Sequence, residues 1–199
     1  MPKTLILIPS RMSAVRLPGK PLLKINNLSI ISHVVNKAKK TKIGRVVVCA
    51  EDKSIFDDVV KNGGEAILTG NHHKSGTDRI FEGYKKLGIK DVDYILNVQG
   101  DEPSIDENDI INLNNMMIES SSNIGTLASK IKDKKMYIDE NIVKVITEKK
   151  LSDKVASFAL SFTRSYDLKK VENIYHHIWV YAYKVNMLEK FINLNQTKN

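Results

Sequence analysis

Two periodicities alternate along the first half of this chain. Thr4-Leu5-Ile6-Leu7-Ile8-Pro9 is a nearly continuous apolar run, the pattern of a strand buried on both faces. Ile30, Ile31, Val34, Val35 and Ala38 then recur at helical spacing, and Lys37, Lys39 and Lys40 close that helix at the end its dipole favours for cations. Arg45 to Ala50 predicts the next buried strand, Ser54 to Val60 a helix stopped by Gly63-Gly64, and Glu65 to Thr69 a third strand. Thr77 or Asp78 is the expected cap of a helix that runs to about Leu87 and stops at Gly88. Tyr94 to Val98 follows as a strand and Asn108 to Ile118 as a helix.

Strand and helix in strict alternation predict an α/β fold with a mainly parallel sheet and helices on both of its faces. The second half has a different pattern. Ile124 to Ile131, Ile142 to Glu148, Val155 to Thr163 and His177 to Tyr183 all have strand character, with no clear helix between them. That predicts antiparallel additions to the sheet. Met187 to Leu194 is expected to be a last helix. No repeat or long linker divides the chain, so residues 1–199 are expected to form one domain.

Composition narrows the function classes. With 199 residues, 42% hydrophobic and 27% charged, the chain can bury a core without disulfides. Its one cysteine, Cys49, excludes an internal disulfide and a cysteine-rich zinc module. No apolar run approaches the about 20 residues of a membrane helix, so no membrane partner is expected. The start, Met1-Pro2-Lys3, has no cleavage site nearby, and a reducing cytoplasm is the expected compartment. The net charge of +8 raises the question of a polyanionic partner. Lysines on polar helix faces account for much of the excess. No aromatic RNA-binding signature or helix-turn-helix pattern accompanies it, so no nucleic acid is expected, and a phosphate-bearing ligand as small as a nucleotide is the alternative.

In such a sheet ligands sit at the carboxyl ends of the strands, and three of those loops carry unusual residues. The first runs from Pro9 and Ser10 through Arg11, Arg16 and Lys20 to Pro21. Its cations supply the forked donors and point charge that a triphosphate needs. It is not a P-loop, since Pro21 replaces the Ser or Thr that follows the lysine. A solvated basic loop is the plain alternative. The second, His72-His73-Lys74-Ser75-Gly76-Thr77-Asp78-Arg79, offers hydroxyls and backbone N–H groups at a helix start; a simple helix cap explains these residues equally well. The adjacent histidines are weak evidence for a metal. The third, Asn97-Val98-Gln99-Gly100-Asp101-Glu102-Pro103, puts a carboxylate at a strand end, where it can hold Mg²⁺ together with phosphates. A strand-ending turn is the alternative there.

Taken together, these three loops closely resemble the 3-deoxy-manno-octulosonate (KDO) cytidylyltransferases. Asn141-Ile142-Val143-Lys144-Val145, Ser161-Phe162-Thr163-Arg164 and His177-Ile178-Trp179-Val180-Tyr181-Ala182-Tyr183 look like that family's later signatures. The resemblance implies a Rossmann-like nucleotidyltransferase sandwich of the glycosyltransferase-A-like kind, and a reaction in which CTP and KDO give CMP-KDO and pyrophosphate with Mg²⁺ as cofactor, for lipopolysaccharide biosynthesis. It implies that Arg11 and Lys20 hold the phosphates with Arg16 in support, beside Pro9 and Ser10. Ser75, Gly76, Thr77 and Arg79 would line the cytidine side, and Asp101 would bind the metal. Gln99, Arg164, His177 and Tyr181 would hold the sugar acid. By residue pattern alone, His177 and Tyr181 also read as ordinary strand packing. The family suggests a homodimer.

The chain departs from the family pattern in three places. Trp179 stands where glycine is usual, so its indole either crowds the sugar pocket or faces away from it. The stretch from Ser165 to His176 is shorter than usual. The family continues for roughly another quarter of its length, with a Gly-Val-Asp-Thr motif that this chain lacks. A related sugar acid as substrate, and a catalytically silent homologue, are the competing expectations.

Overall fold

The computed structural model describes residues 2–13, 17–152, 155–165 and 172–194. Its elements in chain order are β1 (Thr4–Ser10), a 3-10 turn (Lys20–Leu22), β2 (Lys24–Ile25), β3 (Leu28–Ser29), α1 (Ile30–Lys40), β4 (Gly44–Ala50), α2 (Lys53–Lys61), β5 (Ala66–Leu68), α3 (Gly76–Leu87), β6 (Tyr94–Asn97), α4 (Glu107–Ser120), β7 (Ile124–Ser129), α5 (Lys135–Ile138), β8 (Lys144–Thr147), β9 (Ala159–Thr163), β10 (Ile174–Lys184) and α6 (Val185–Ile192). They fall into two compact units: residues 1–125 with 180–199, and residues 126–179.

In the first unit the strand order is β5-β4-β1-β6-β10. β1 pairs in parallel with β4 and β6, and β4 pairs in parallel with β5. β10 then runs antiparallel to β6 through the pairs Tyr181–Asn97 to Lys184–Tyr94. All seven residues of β1 are buried, because apolar side chains leave both faces of a central strand covered by helices. One face carries Leu5, Leu7, Val47, Cys49 and Ile95, packed with Ile80 of α3 and Leu188 of α6. In the second unit β8 pairs antiparallel with β9 and with Ile174, Tyr175 and His176 of β10. The mainly parallel sheet with antiparallel additions is therefore as the sequence predicts.

Several details differ from the expected pattern. Ser75, not Thr77 or Asp78, caps α3: its Oγ accepts from Asp78 N at 3.1 Å, and Asp78 Oδ2 accepts from Ser75 N at 3.1 Å. This reciprocal pair satisfies two helix-start donors at once. Lys24 to Ser29, to which periodicity assigns no element, forms the β2–β3 hairpin, which is too short for an alternating pattern to register. α5 is a single helical turn between the late strands. β9 begins at Ala159, with Val155 in an isolated bridge to Ser152, and β10 begins three residues earlier than its apolar core suggests. No helix among the described residues is long and apolar enough to cross a membrane.

Candidate active site

In the first unit the three loops meet at the carboxyl ends of β1, β5 and β6. The base of the first loop is closed by Gly19 N donating to Met12 O at 3.1 Å. The loop is tethered to the end of β4, where Asp52 Oδ2 accepts from Met12 N at 3.1 Å and Glu51 Oε1 accepts from Ser13 Oγ at 3.3 Å. Pro9 and Ser10 are buried, Arg11 is exposed, and Arg16 lies outside the described residues.

Lys20 Nζ reaches across to Asp101 Oδ2 at 2.8 Å, so the first and third loops present a cation and a carboxylate to each other at the surface. Next to Asp101, Glu102 has its carboxyl pushed up by burial and by the neighbouring Asp101 charge, with Lys20 opposing. Gly100 brings the third loop onto β1: a Cβ there would stand 2.8 Å from Pro9 O and 2.9 Å from Ile31 Cδ1. Only glycine allows that approach. The second loop closes the group. A Cβ on Gly76 would lie 3.0 Å from Pro9 Cγ and 3.9 Å from Gln99 Nε2, which places Pro9, Gly76 and Gln99 together.

Arg79 is almost fully buried. Its Nη1 donates to Thr69 Oγ1 at 2.9 Å and Gly70 O at 2.8 Å, and its Nη2 pairs with Glu51. It therefore ties the ends of β4 and β5 to α3. Ser75 spends its hydroxyl on the cap, with Oγ donating to Asp78 Oδ2 at 2.7 Å. Thr77 is hydrogen-bonded to Tyr183, whose hydroxyl burial pushes up. The Tyr183 ring stacks on that of Tyr181, with centroids 6.0 Å apart. Burial, and then the neighbouring Tyr183, push the Tyr181 hydroxyl up to about 12, so it stays a protonated donor.

In the second unit His177 is buried and its Nε2 lies 2.9 Å from Thr126 Oγ1. Burial, followed by the charge of His176, pushes its imidazole down to about 4, so it is neutral near pH 7. Trp179 does not face away from His177: the rings pack edge to face with centroids 4.8 Å apart. Residues two apart on a strand share a face, so the indole walls the side of His177. Arg164 is exposed, with Nη1 donating to Glu140 O at 2.9 Å.

The sequence pattern assigns no role to Lys144, although a lysine in the run Ile142 to Ile146 is itself a signal. It is fully buried, and its Nζ donates to Asp139 O at 2.6 Å and Arg164 O at 2.7 Å. Burial pushes its ammonium pKa down. It fixes the backbone that carries Arg164.

Among known proteins, a family model described as "Cytidylyltransferase" matches residues 5–198. The chain is 41% identical over 192 residues to a 3-deoxy-manno-octulosonate cytidylyltransferase of Afipia carboxidovorans, covering 96% of this chain and 77% of that protein. It is 39% identical over 193 residues to the protein of the same name from Rhizobium etli, covering 96% and 76%. A solved CMP:2-keto-3-deoxy-manno-octonic acid synthetase complexed with CTP superposes with a TM-score of 0.85 at 33% identity, covering 98% of this chain and 79% of that one. The 4-diphosphocytidyl-2C-methyl-D-erythritol synthase of Anaerococcus prevotii, 16% identical with a TM-score of 0.62 and covering 100% and 80%, shares the fold.

Proposed function

The chain belongs to the cytidylyltransferase family, and from that premise we propose that it transfers CMP from CTP to the anomeric hydroxyl of KDO, releasing pyrophosphate. The observation that carries this reading is the Lys20–Asp101 pair on loops that also bring Pro9, Gly76 and Gln99 together. The proposal treats residues 1–199 as one nucleotidyltransferase domain working in the cytoplasm, where the buried Cys49 thiol stays reduced.

The sugar hydroxyl oxygen bonds to the α-phosphorus and gives up its proton to solvent, the bond from that phosphorus to the bridging oxygen breaks, and pyrophosphate leaves. Such transfers need alignment and charge neutralisation more than covalent help. Arg11 and Lys20, with Arg16 in support, hold the phosphates. Lys20 exchanges its bond to Asp101 for the phosphate oxygens. Ser75, Gly76 and Thr77 form the cytidine side, and Arg79 supports it from beneath through Thr69, Gly70 and Glu51.

Asp101 fits a Mg²⁺ ligand, since it is a hard oxygen donor, half exposed, and already carries a cationic partner in Lys20. When bound, Mg²⁺ supplies charge neutralisation on the phosphates. Gln99, Arg164, His177 and Tyr181 are assigned to the sugar acid. Arg164 suits its carboxylate, while neutral His177 and protonated Tyr181 contribute hydrogen bonds rather than charge. The apolar side chains Phe158, Leu160 and Phe162, exposed on β9 and the residue before it, support assembly as a homodimer.

Incubating the chain with CTP, KDO and Mg²⁺ tests the reading by mass spectrometry. CMP joined to KDO is the expected product. CTP consumed without formation of that conjugate would overturn the substrate assignment.

A further inference from the structure

Where β5 leads into α3, the fold gathers three ligating side chains that the nucleotide and sugar assignments leave unused. One ligand atom from each of His72, His73 and Glu82 lies within 4.8 Å of the other two. The two imidazoles sit with ring centroids 4.3 Å apart. His73 and Glu82 have side chains only 10% and 21% exposed, so packing fixes two of the three. His72 is exposed, and its ring occupies the space over Gly70, where a Cβ would come within 2.5 Å of Nδ1. The Glu82 carboxylate is oriented by Gly70 N, which donates to Oε2 at 2.9 Å, and by the His73 ring. Lys86 Nζ stands 2.6 Å from its other oxygen, so the site already holds a positive charge against this carboxylate.

We propose that His72, His73 and Glu82 bind a divalent transition metal of the Zn²⁺ class, distinct from the Asp101 site, with water as the remaining ligand. Two imidazoles and one carboxylate form a borderline donor set that favours Zn²⁺ over Mg²⁺. Ligands about 2.1 Å from a tetrahedral ion lie about 3.4 Å from one another. His72 therefore has to approach by at most little more than an ångström, which a rotation of its exposed side chain supplies, while the hydrogen-bonded His73 and Glu82 move apart to admit the ion. Binding replaces Lys86 on Glu82 and braces the segment that enters the Ser75 cap.

The test titrates the untagged 199-residue chain with Zn²⁺ against a chromophoric chelator, and separately with Co²⁺ followed by visible absorption. One ion per chain is expected. His72→Ala and Glu82→Gln should each weaken binding about tenfold or more. Lys86→Met should tighten it, because a competing cation is gone. Co²⁺ should give the bands of a four-coordinate site, which His72→Ala removes. His72 is exposed, so that variant keeps its fold even if Glu82→Gln does not. No binding at equimolar ion, or affinity unchanged in His72→Ala, would overturn the site. None of these readouts depends on cytidylyl transfer.

Discussion

Lys20 and Asp101 share one ion pair, yet the two positions have different expected consequences. The pair is partly exposed, so its loss costs at most about 1 kcal/mol of stability. Asp101→Asn should therefore melt near the wild-type temperature while metal-dependent turnover disappears; turnover at the wild-type rate would remove the metal role. Lys20→Ala should weaken CTP binding about tenfold, ~1.4 kcal/mol, in a calorimetric titration. Equal affinities would return the first loop to the status of a solvated surface. His177 gives a pH signature. Its folded pKa, about 4, lies below the ordinary 6.5, so the folded state binds fewer protons than the unfolded state between those values. Stability is full above pH 6.5 and falls as pH drops towards 4, by up to about 1.4 kcal/mol per pH unit. His176, whose pKa is also lowered, by burial and then by the charge of Lys144, contributes with the same sign. Denaturant midpoints measured across that range should show the slope, and His177→Asn should flatten it. An unchanged slope in the variant would contradict the burial argument.

At the scale of elements, the close approach of the β6–α4 loop to β1 is the most constrained feature. Gly100→Ala drives a methyl against Pro9 O and Ile31 Cδ1, and should cost about 1–3 kcal/mol and weaken CTP binding with it. Full stability in that variant would show that the loop has room to move. The elements that sequence predicts well are those with strong periodicity, such as β1 and α1, where burial of both faces or of one stripe dictates the pattern. The β2–β3 hairpin is too short to show a period. Sequence places the α3 cap at Thr77 or Asp78, both good capping types, whereas the hydrogen bonds select Ser75. The sequence gives Lys144 no role because charge ordinarily signals exposure; its ammonium is satisfied by two carbonyls that no sequence pattern reveals. The Glu82 partner of the two histidines was hidden for a related reason, since its role depends on α3 folding back over Gly70.

At the scale of the whole molecule, the loop motifs carried the family and its fold, because each places charge or glycine where a parallel sheet exposes its ligand edge. Strand pattern alone did not say which face His177 and Trp179 share with each other, nor which residues support Arg164. The exposed Phe158, Leu160 and Phe162 lead to an expectation for assembly. Light scattering should give the mass of a dimer, and Leu160→Ser should shift it to a monomer; a monomeric wild-type chain would leave that face without a partner copy. The most direct test of the account is pyrophosphate release from CTP and Mg²⁺ by this 199-residue chain, measured with and without KDO. Release that requires KDO and vanishes in Asp101→Asn is the expected result. Release at the same rate without KDO, or none with both substrates present, would contradict it.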